Sequence, residues 1–167
     1  LLPSERHLIR NTLPTLGSAQ AADDDASAGT GATADSALPE TVQEREQQAL
    51  AEFIAKRWRI AETAATSFVS IAYRAGKRYS VDPLLILSVV AIESRFNPVA
   101  ESVVGAKGLM QIIPKYHLDK LLDHGGEEAL LDPEVNIHVG AQILHEYYRR
   151  LQDQEAALQR YAGAATS

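Results

Sequence analysis

An all-α fold is what this sequence predicts, and three observations predict it. Alanine is plentiful while aromatic residues make up only 6%, a composition that favours helices. Apolar residues recur at helical spacing through most of residues 44–161. No stretch alternates apolar and polar side chains as a strand does, and no internal repeat is present. With 167 residues and 46% hydrophobic side chains, the chain has room for one domain and some additional sequence.

Residues 1–16 are mixed, and Pro3 and Pro14 bracket no more than a short turn around His7, Leu8 and Ile9. Residues 17–40 are small, polar and acidic. They hold too little apolar surface to offset the entropy of ordering, so residues 1–40 read as a disordered or loosely packed low-complexity linker. The Asp23-Asp24-Asp25 run within them reads as solvated charge rather than a cation site. The folded domain is expected over residues 41–167.

The first helix is predicted from Glu44 to Trp58, with Leu50, Phe53, Ile54 and Trp58 at helical spacing. A second follows, with Ile60, Ala64, Phe68, Ile71, Ala72 and Ala75 on one face and Gly76 weakening its end. Asp82-Pro83 starts the third: Asp82 caps exposed amides and Pro83 suits the first helical position. That helix, from Pro83 to about Ser94, is apolar nearly all round and is expected in mid-core, with Phe96-Asn97-Pro98 ending it because Pro98 disfavours helical geometry at Asn97. A loop containing Gly105 occupies 97–107. A short helix at 109–113 is expected to stop at Pro114, and another at 116–122 to end near Gly125-Gly126. Asp132-Pro133 repeats the start signal for a helix burying Ile137, Gly140, Ala141, Leu144, Tyr148 and Leu151. The last helix is expected over 155–161.

Charge and composition exclude several functions. The net charge is −6. Residues 1–40 hold six acids against two bases, which leaves the rest nearly neutral. No basic stripe exists, so nucleic acid is not an expected partner. The absence of cysteine rules out disulfides and thiolate zinc sites. His117 and His124, and His138 and His145, pair at spacings of seven without a third ligand, so no metal is expected. The longest apolar run, Leu84 to Ile92, is too short for a transmembrane segment. A chain beginning at Leu1 reads as a processed product or a fragment.

Glu93 is out of place. It directly follows the uncharged run Leu84–Ile92, and charged side chains are almost never fully buried without a partner. At the helix end it can line a cleft backed by an apolar wall. Such a wall raises a carboxyl pKa and makes a general acid. A surface pair with Arg95 is the alternative.

The stretch Glu93-Ser94-Arg95-Phe96-Asn97-Pro98, followed by Gly105-Ala106-Lys107-Gly108-Leu109-Met110-Gln111 and then Pro114, resembles the catalytic core of soluble lytic transglycosylases, in the lysozyme-like superfamily of goose-type lysozyme. Asp132-Pro133 with Asn136-Ile137 and Gly140 resembles that family's third element, and Ala157-Leu158 through Tyr161 its fourth. The resemblance covers residues 80–163 and implies a lysozyme-like helical domain.

The resemblance implies that Glu93 is the single catalytic acid and base. It cleaves the bond between N-acetylmuramic acid and N-acetylglucosamine in peptidoglycan glycan strands and leaves a 1,6-anhydromuramyl end. No second carboxylate is then needed, and Glu101 falls at a variable position. The resemblance makes Ser94, Gly108, Met110, Gln111 and Tyr161 substrate-binding. Ser94 orients the glutamate or touches substrate, Gln111 hydrogen-bonds sugar, and Met110 packs in the cleft wall. The Tyr161 hydroxyl bonds Glu93 or stabilises developing positive charge. Gly105 and Gly108 let the backbone turn and approach sugars, while Asn97 and Asn136 serve the motif structurally.

No cofactor is implied. The substrate places the protein in the bacterial cell envelope, most simply the periplasm. Residues 1–40 remain free to tether the domain or to contact an envelope or secretion-machinery partner. Two departures stand out. Ala162 occupies a position where asparagine is usual, and family members usually continue beyond the fourth element with structure that closes the site. The competing readings are a lysozyme-type hydrolase on the same fold, a non-catalytic peptidoglycan-binding module and a plain helical interaction domain.

Overall fold

A computed structural model describes residues 41–165, and the expectations for residues 1–40 lie outside them. Six α-helices are joined by 3₁₀ turns and loops: α1 (Val42–Trp58), α2 (Glu62–Tyr79), α3 (Pro83–Glu93), α4 (Leu118–Leu121), α5 (Pro133–Leu151) and α6 (Gln154–Ala165). The described residues contain no strand, only isolated bridges of Lys107 with Glu101 and with Ile112.

Helix starts follow local chemistry. Thr41 and Glu44 form a capping box, each side chain accepting from the other's backbone amide; the helix therefore begins two residues earlier than its apolar spacing alone indicates. Asp82 accepts from the Leu84 amide at 2.8 Å, and Asp132 from Glu134 and Val135 at 2.7 and 3.3 Å. Each is followed by proline at the first helical position, as expected.

One core joins these helices. Ile54 of α1, Phe68, Val69 and Ala72 of α2, Ile86 and Val90 of α3, and Ile137, Ala141 and Leu144 of α5 are all buried. Gly76 does not end α2, which continues one more turn to Tyr79. It is buried, and a Cβ there would meet the Val81 carbonyl at 2.6 Å. The glycine lets the connection to α3 fold tightly over the helix.

Helix α3 is not enclosed. Ile86, Leu87, Val89 and Val90 are buried, but Leu84 is 44% and Ile92 78% exposed, with Ser88 exposed between them. These three lie four residues apart and form an outward stripe. On α5 the inner face ends at Leu144, since Tyr148 and Leu151 are 50% and 41% exposed. No helix among the described residues is long and apolar enough to cross a membrane.

Candidate active site

Glu93 is the last residue of α3, and Ser94 caps the helix. The chain then reverses through two consecutive non-glycine residues with left-handed backbone, Arg95 (φ 54°) and Phe96 (φ 63°). L-residues adopt this conformation at a cost of about 1–2 kcal/mol each. The reversal drives Phe96 into the core, 2% exposed, with its ring centroid 4.8 Å from that of Trp58 and 6.4 Å from that of Phe68. The helix thus ends at Glu93, capped by Ser94, close to the end expected from Phe96-Asn97-Pro98.

The Glu93 carboxyl is half-buried and has no ion-pair partner among the described residues; Arg95 does not pair with it. Burial alone pushes its pKa upward, as expected for a carboxyl beside an apolar wall without a compensating cation.

Tyr161 stands close enough for the negative field of Glu93 to reach it. Burial first, and then that field, raise the phenol far above its ordinary value, so it stays protonated. Its hydroxyl donates to the Met110 carbonyl at 2.8 Å rather than to Glu93.

Met110 belongs to a tight turn in place of the expected short helix. The amide of Lys107 donates to the Ile112 carbonyl at 2.9 Å, and that of Ile112 donates back at 3.1 Å. Gly108 (φ 74°) and Gln111 (φ 48°) carry the reversal. Pro114 opens a 3₁₀ turn, Pro114–Tyr116, instead of stopping a helix.

Asn136 of α5 holds this turn. Fully buried, it accepts from the Met110 amide at 2.7 Å and donates to the Lys107 and Leu130 carbonyls at 2.9 and 2.8 Å. Gly108 is buried directly beneath it, and a Cβ there would collide with the Asn136 side chain and the Leu130 carbonyl. The close approach made by Gly108 is therefore to Asn136. The Met110 thioether lies against Gly140, where a Cβ would collide with it, and Met110 is fully buried.

Gln111 is 9% exposed. Its amide nitrogen donates to the Ala100 and Gly108 carbonyls at 3.1 and 3.0 Å, which leaves Oε1 as an acceptor at the surface of the turn. The Ser94 hydroxyl folds back to the Val90 carbonyl at 3.1 Å. Asn97 accepts from the Val99 amide at 3.1 Å. Gly105 (φ 83°) closes a turn with Ser102, and nothing lies within 4 Å of where its Cβ would be; backbone geometry alone calls for glycine there. The structure thus links Glu93, Tyr161, Met110, Asn136, Gly108 and Gln111 in one contiguous region. It turns Ser94 inward and sets Asn97 and Gly105 in the loop between.

A family model described as the transglycosylase SLT domain matches residues 70–166. The chain belongs to this family. Membrane-bound lytic murein transglycosylase C of Mannheimia succiniciproducens is 37% identical over 86 residues, covering 48% of this chain and 24% of the relative. The same-named protein of Haemophilus influenzae is 35% identical over 89 residues, 50% of the chain and 25% of the relative. A transglycosylase of Enterobacteria phage PRD1 is 42% identical over 89 residues, 53% and 32%. The chain thus spans a quarter to a third of the length of these relatives.

The SLT match begins inside α2, yet Ala51, Ile54, Ala65 and Phe68, all ahead of it, share the same core. Trp58, also ahead of the match, supports Phe96 directly behind the Glu93 helix end.

One residue of the SLT domain escaped the sequence reading. Lys107 is buried, its side chain 7% exposed, with its ammonium 3.0 Å from Glu128, 3.2 Å from Glu127 and 3.5 Å from Glu101. Hydrogen bonds to Glu128 and Glu127 raise its pKa against the opposing effect of burial. It binds the loop after α3 and the 3₁₀ turn Glu127–Leu131 to the turn that carries Gln111. The available signal was its isolation: Lys107 is the only charged residue between Glu101 and Lys115. Glu101, set aside as a catalytic acid, is a partner of this lysine.

Proposed function

We propose that this SLT domain is a peptidoglycan lytic transglycosylase in which Glu93 serves as both acid and base. The observation that carries the reading is a half-buried carboxyl, raised in pKa by burial and without an ion pair among the described residues, at the end of a helix whose following backbone is fixed in the left-handed region. Family membership and the names of the relatives support the same reading.

The protonated Glu93 gives its proton to the glycosidic oxygen as the bond from the muramyl C1 breaks. The muramyl 6-hydroxyl oxygen then attacks C1 and returns its proton to Glu93. Glu93 ends as it began, the sugar closes as a 1,6-anhydro ring, and no water is consumed. Positive charge develops at C1 in a pocket bordered by the neutral Tyr161. Gln111 Oε1 accepts a sugar hydroxyl from the far side, and Gly108, Met110 and Asn136 hold the turn that presents it. Ser94, Asn97 and Gly105 shape the loop between these walls.

The catalytic domain is residues 41–167, opened by the Thr41 capping box, and residues 1–40 form a linker through which an envelope or secretion-machinery protein is met. The substrate locates the activity in the bacterial envelope, and the periplasm is the compartment proposed.

Digestion of purified peptidoglycan with this chain and with Glu93→Gln, followed by mass spectrometry of the released muropeptides, tests the reading. Products one water lighter than lysozyme products, absent with the variant, are expected. Hydrated reducing ends would overturn the mechanism in favour of hydrolysis. Tight wall binding without release by the folded wild-type chain would make the domain a binding module.

A further inference from the structure

Two carbonyls set the orientation of the Gln111 side chain. Its Nε2 donates to Ala100 at 3.1 Å and to Gly108 at 3.0 Å. Each carbonyl lies next to one half of an ion pair. Ala100 precedes Glu101 and Gly108 follows Lys107, and the Lys107 ammonium is 3.5 Å from the Glu101 carboxylate. Glu101 and Lys107 also form a backbone bridge, and the Gly108 amide donates to the Ala100 carbonyl at 2.8 Å. The carbonyl that orients Gln111 therefore belongs to the segment that the lysine ties down.

Asn136 has a different task. It bonds the Met110 amide and the Lys107 and Leu130 carbonyls, and so fixes the backbone of the turn rather than the Gln111 side chain. On the far side of Lys107, Glu128 at 3.0 Å and Glu127 at 3.2 Å open the 3₁₀ turn Glu127–Leu131. One buried ammonium thus gathers three segments, while all three carboxylates belong to exposed side chains. Water solvates such carboxylates once they are freed, so their ion pairs add little to stability. An apolar side chain of similar length can fill the place of a buried lysine at little cost. The charge therefore contributes position more than stability.

We propose that Lys107 is a positioning residue for sugar recognition: by drawing Glu101 toward the turn, it holds the Ala100 carbonyl against the Gln111 amide and keeps Gln111 Oε1 turned toward the glycan. The inference rests on the transglycosylase reading above and on the place of Gln111 in it. Lys107 acts through Gln111 and not on the substrate, because its ammonium is already shared among three carboxylates. Without that charge the Gln111 amide is free to turn, and the cost of ordering it falls on substrate binding. The loss appears in KM rather than kcat, because a hydrogen bond to a sugar hydroxyl away from the breaking bond serves substrate and transition state alike.

The test uses two variants of the full chain, with circular dichroism to show that the fold is kept. Lys107→Met fills the lysine's buried place without its charge, and Glu101→Gln removes only the arm beside Ala100. The second variant changes an exposed side chain, so it decides the question by itself if Lys107→Met does not fold. Nuclear magnetic relaxation of the Gln111 side-chain amide is measured first, on the protein alone. A rigid amide is expected in the wild type and a mobile one in both variants. Cleavage of purified peptidoglycan is then compared for Lys107→Met, Gln111→Ala and the two combined. Each single change should raise KM about tenfold with kcat unchanged, and the combination should be no worse than Gln111→Ala, since changes that act through one contact do not add. A Gln111 amide as rigid in the variants as in the wild type would overturn the proposal, as would losses that add in the combined variant or fall on kcat. Failure of the wild type to cleave any strand would count against the transglycosylase reading alone, because the relaxation measurement still decides whether Lys107 positions Gln111.

Discussion

The two ends of α3 are built on opposite principles. At its start, Asp82 caps the Leu84 amide and Pro83 supplies a helical φ, so every group is in a favoured state. At its finish, a half-buried carboxyl lacks an ion pair among the described residues, and two non-glycine residues hold left-handed backbone. The first end could sit on any stable helix. The second persists only because Phe96 is packed between Trp58 and Phe68, and such strain collects at functional sites. Stability is built into one end of the helix, and the proposed chemistry belongs to the other.

That contrast is open to test. Glu93→Gln should remove about 10²–10⁴-fold of turnover while leaving the fold intact, as read by muropeptide release and circular dichroism. Its effect on stability should have the opposite sign. Burial holds the Glu93 carboxyl above its ordinary 4.5, so the folded chain keeps a proton that the unfolded chain releases. Stability is therefore lost as the pH rises from 4.5 through the raised value. Glu93→Gln escapes that loss. Its Tm should exceed the wild-type value at neutral pH, with the advantage vanishing below about pH 4. A variant less stable at neutral pH would show that an unrecognised cation holds the carboxylate.

Phe96→Ala removes the anchor behind the strained end and should cost about 3–5 kcal/mol in denaturant unfolding. Asp82→Ala removes only a cap. It should cost about 1 kcal/mol and leave kcat unchanged, which separates the two ends by function as well as by energy. The smallest effect belongs to Arg95→Gly: at φ 54° glycine relieves backbone strain, and a gain of about 0.5 kcal/mol is expected. If activity falls as well, the strain itself positions Glu93.

Much of the fold was legible because its signals are local. Asp82-Pro83 and Asp132-Pro133 located two helix starts to the residue, since a cap acts within three positions of itself. Glu93 stood out as a lone charge after nine uncharged residues, and the structure leaves it without an ion pair among the described residues. The turn at Lys107–Ile112 was misread as a helix for the opposite reason. Its Met110 amide is taken by Asn136, 26 residues away, and its Met110 carbonyl by Tyr161, 51 residues away. No local pattern reports such partners.

The sequence by itself determined the helical class, the two helix starts at Asp82-Pro83 and Asp132-Pro133 and the identity of the isolated carboxyl, because each depends on groups a few residues apart. Only the tertiary structure decided that Gly76 and Gly108 serve close packing, that α3 keeps an open stripe through Ile92, and that Lys107 gathers Glu101, Glu127 and Glu128. It also set Arg150 of α5 and Arg160 of α6 along one depression with Tyr116 and Tyr147. Those outcomes depend on which distant surfaces meet when the apolar faces of α2, α3 and α5 are buried together, and burial chooses partners by shape and area rather than by separation along the chain.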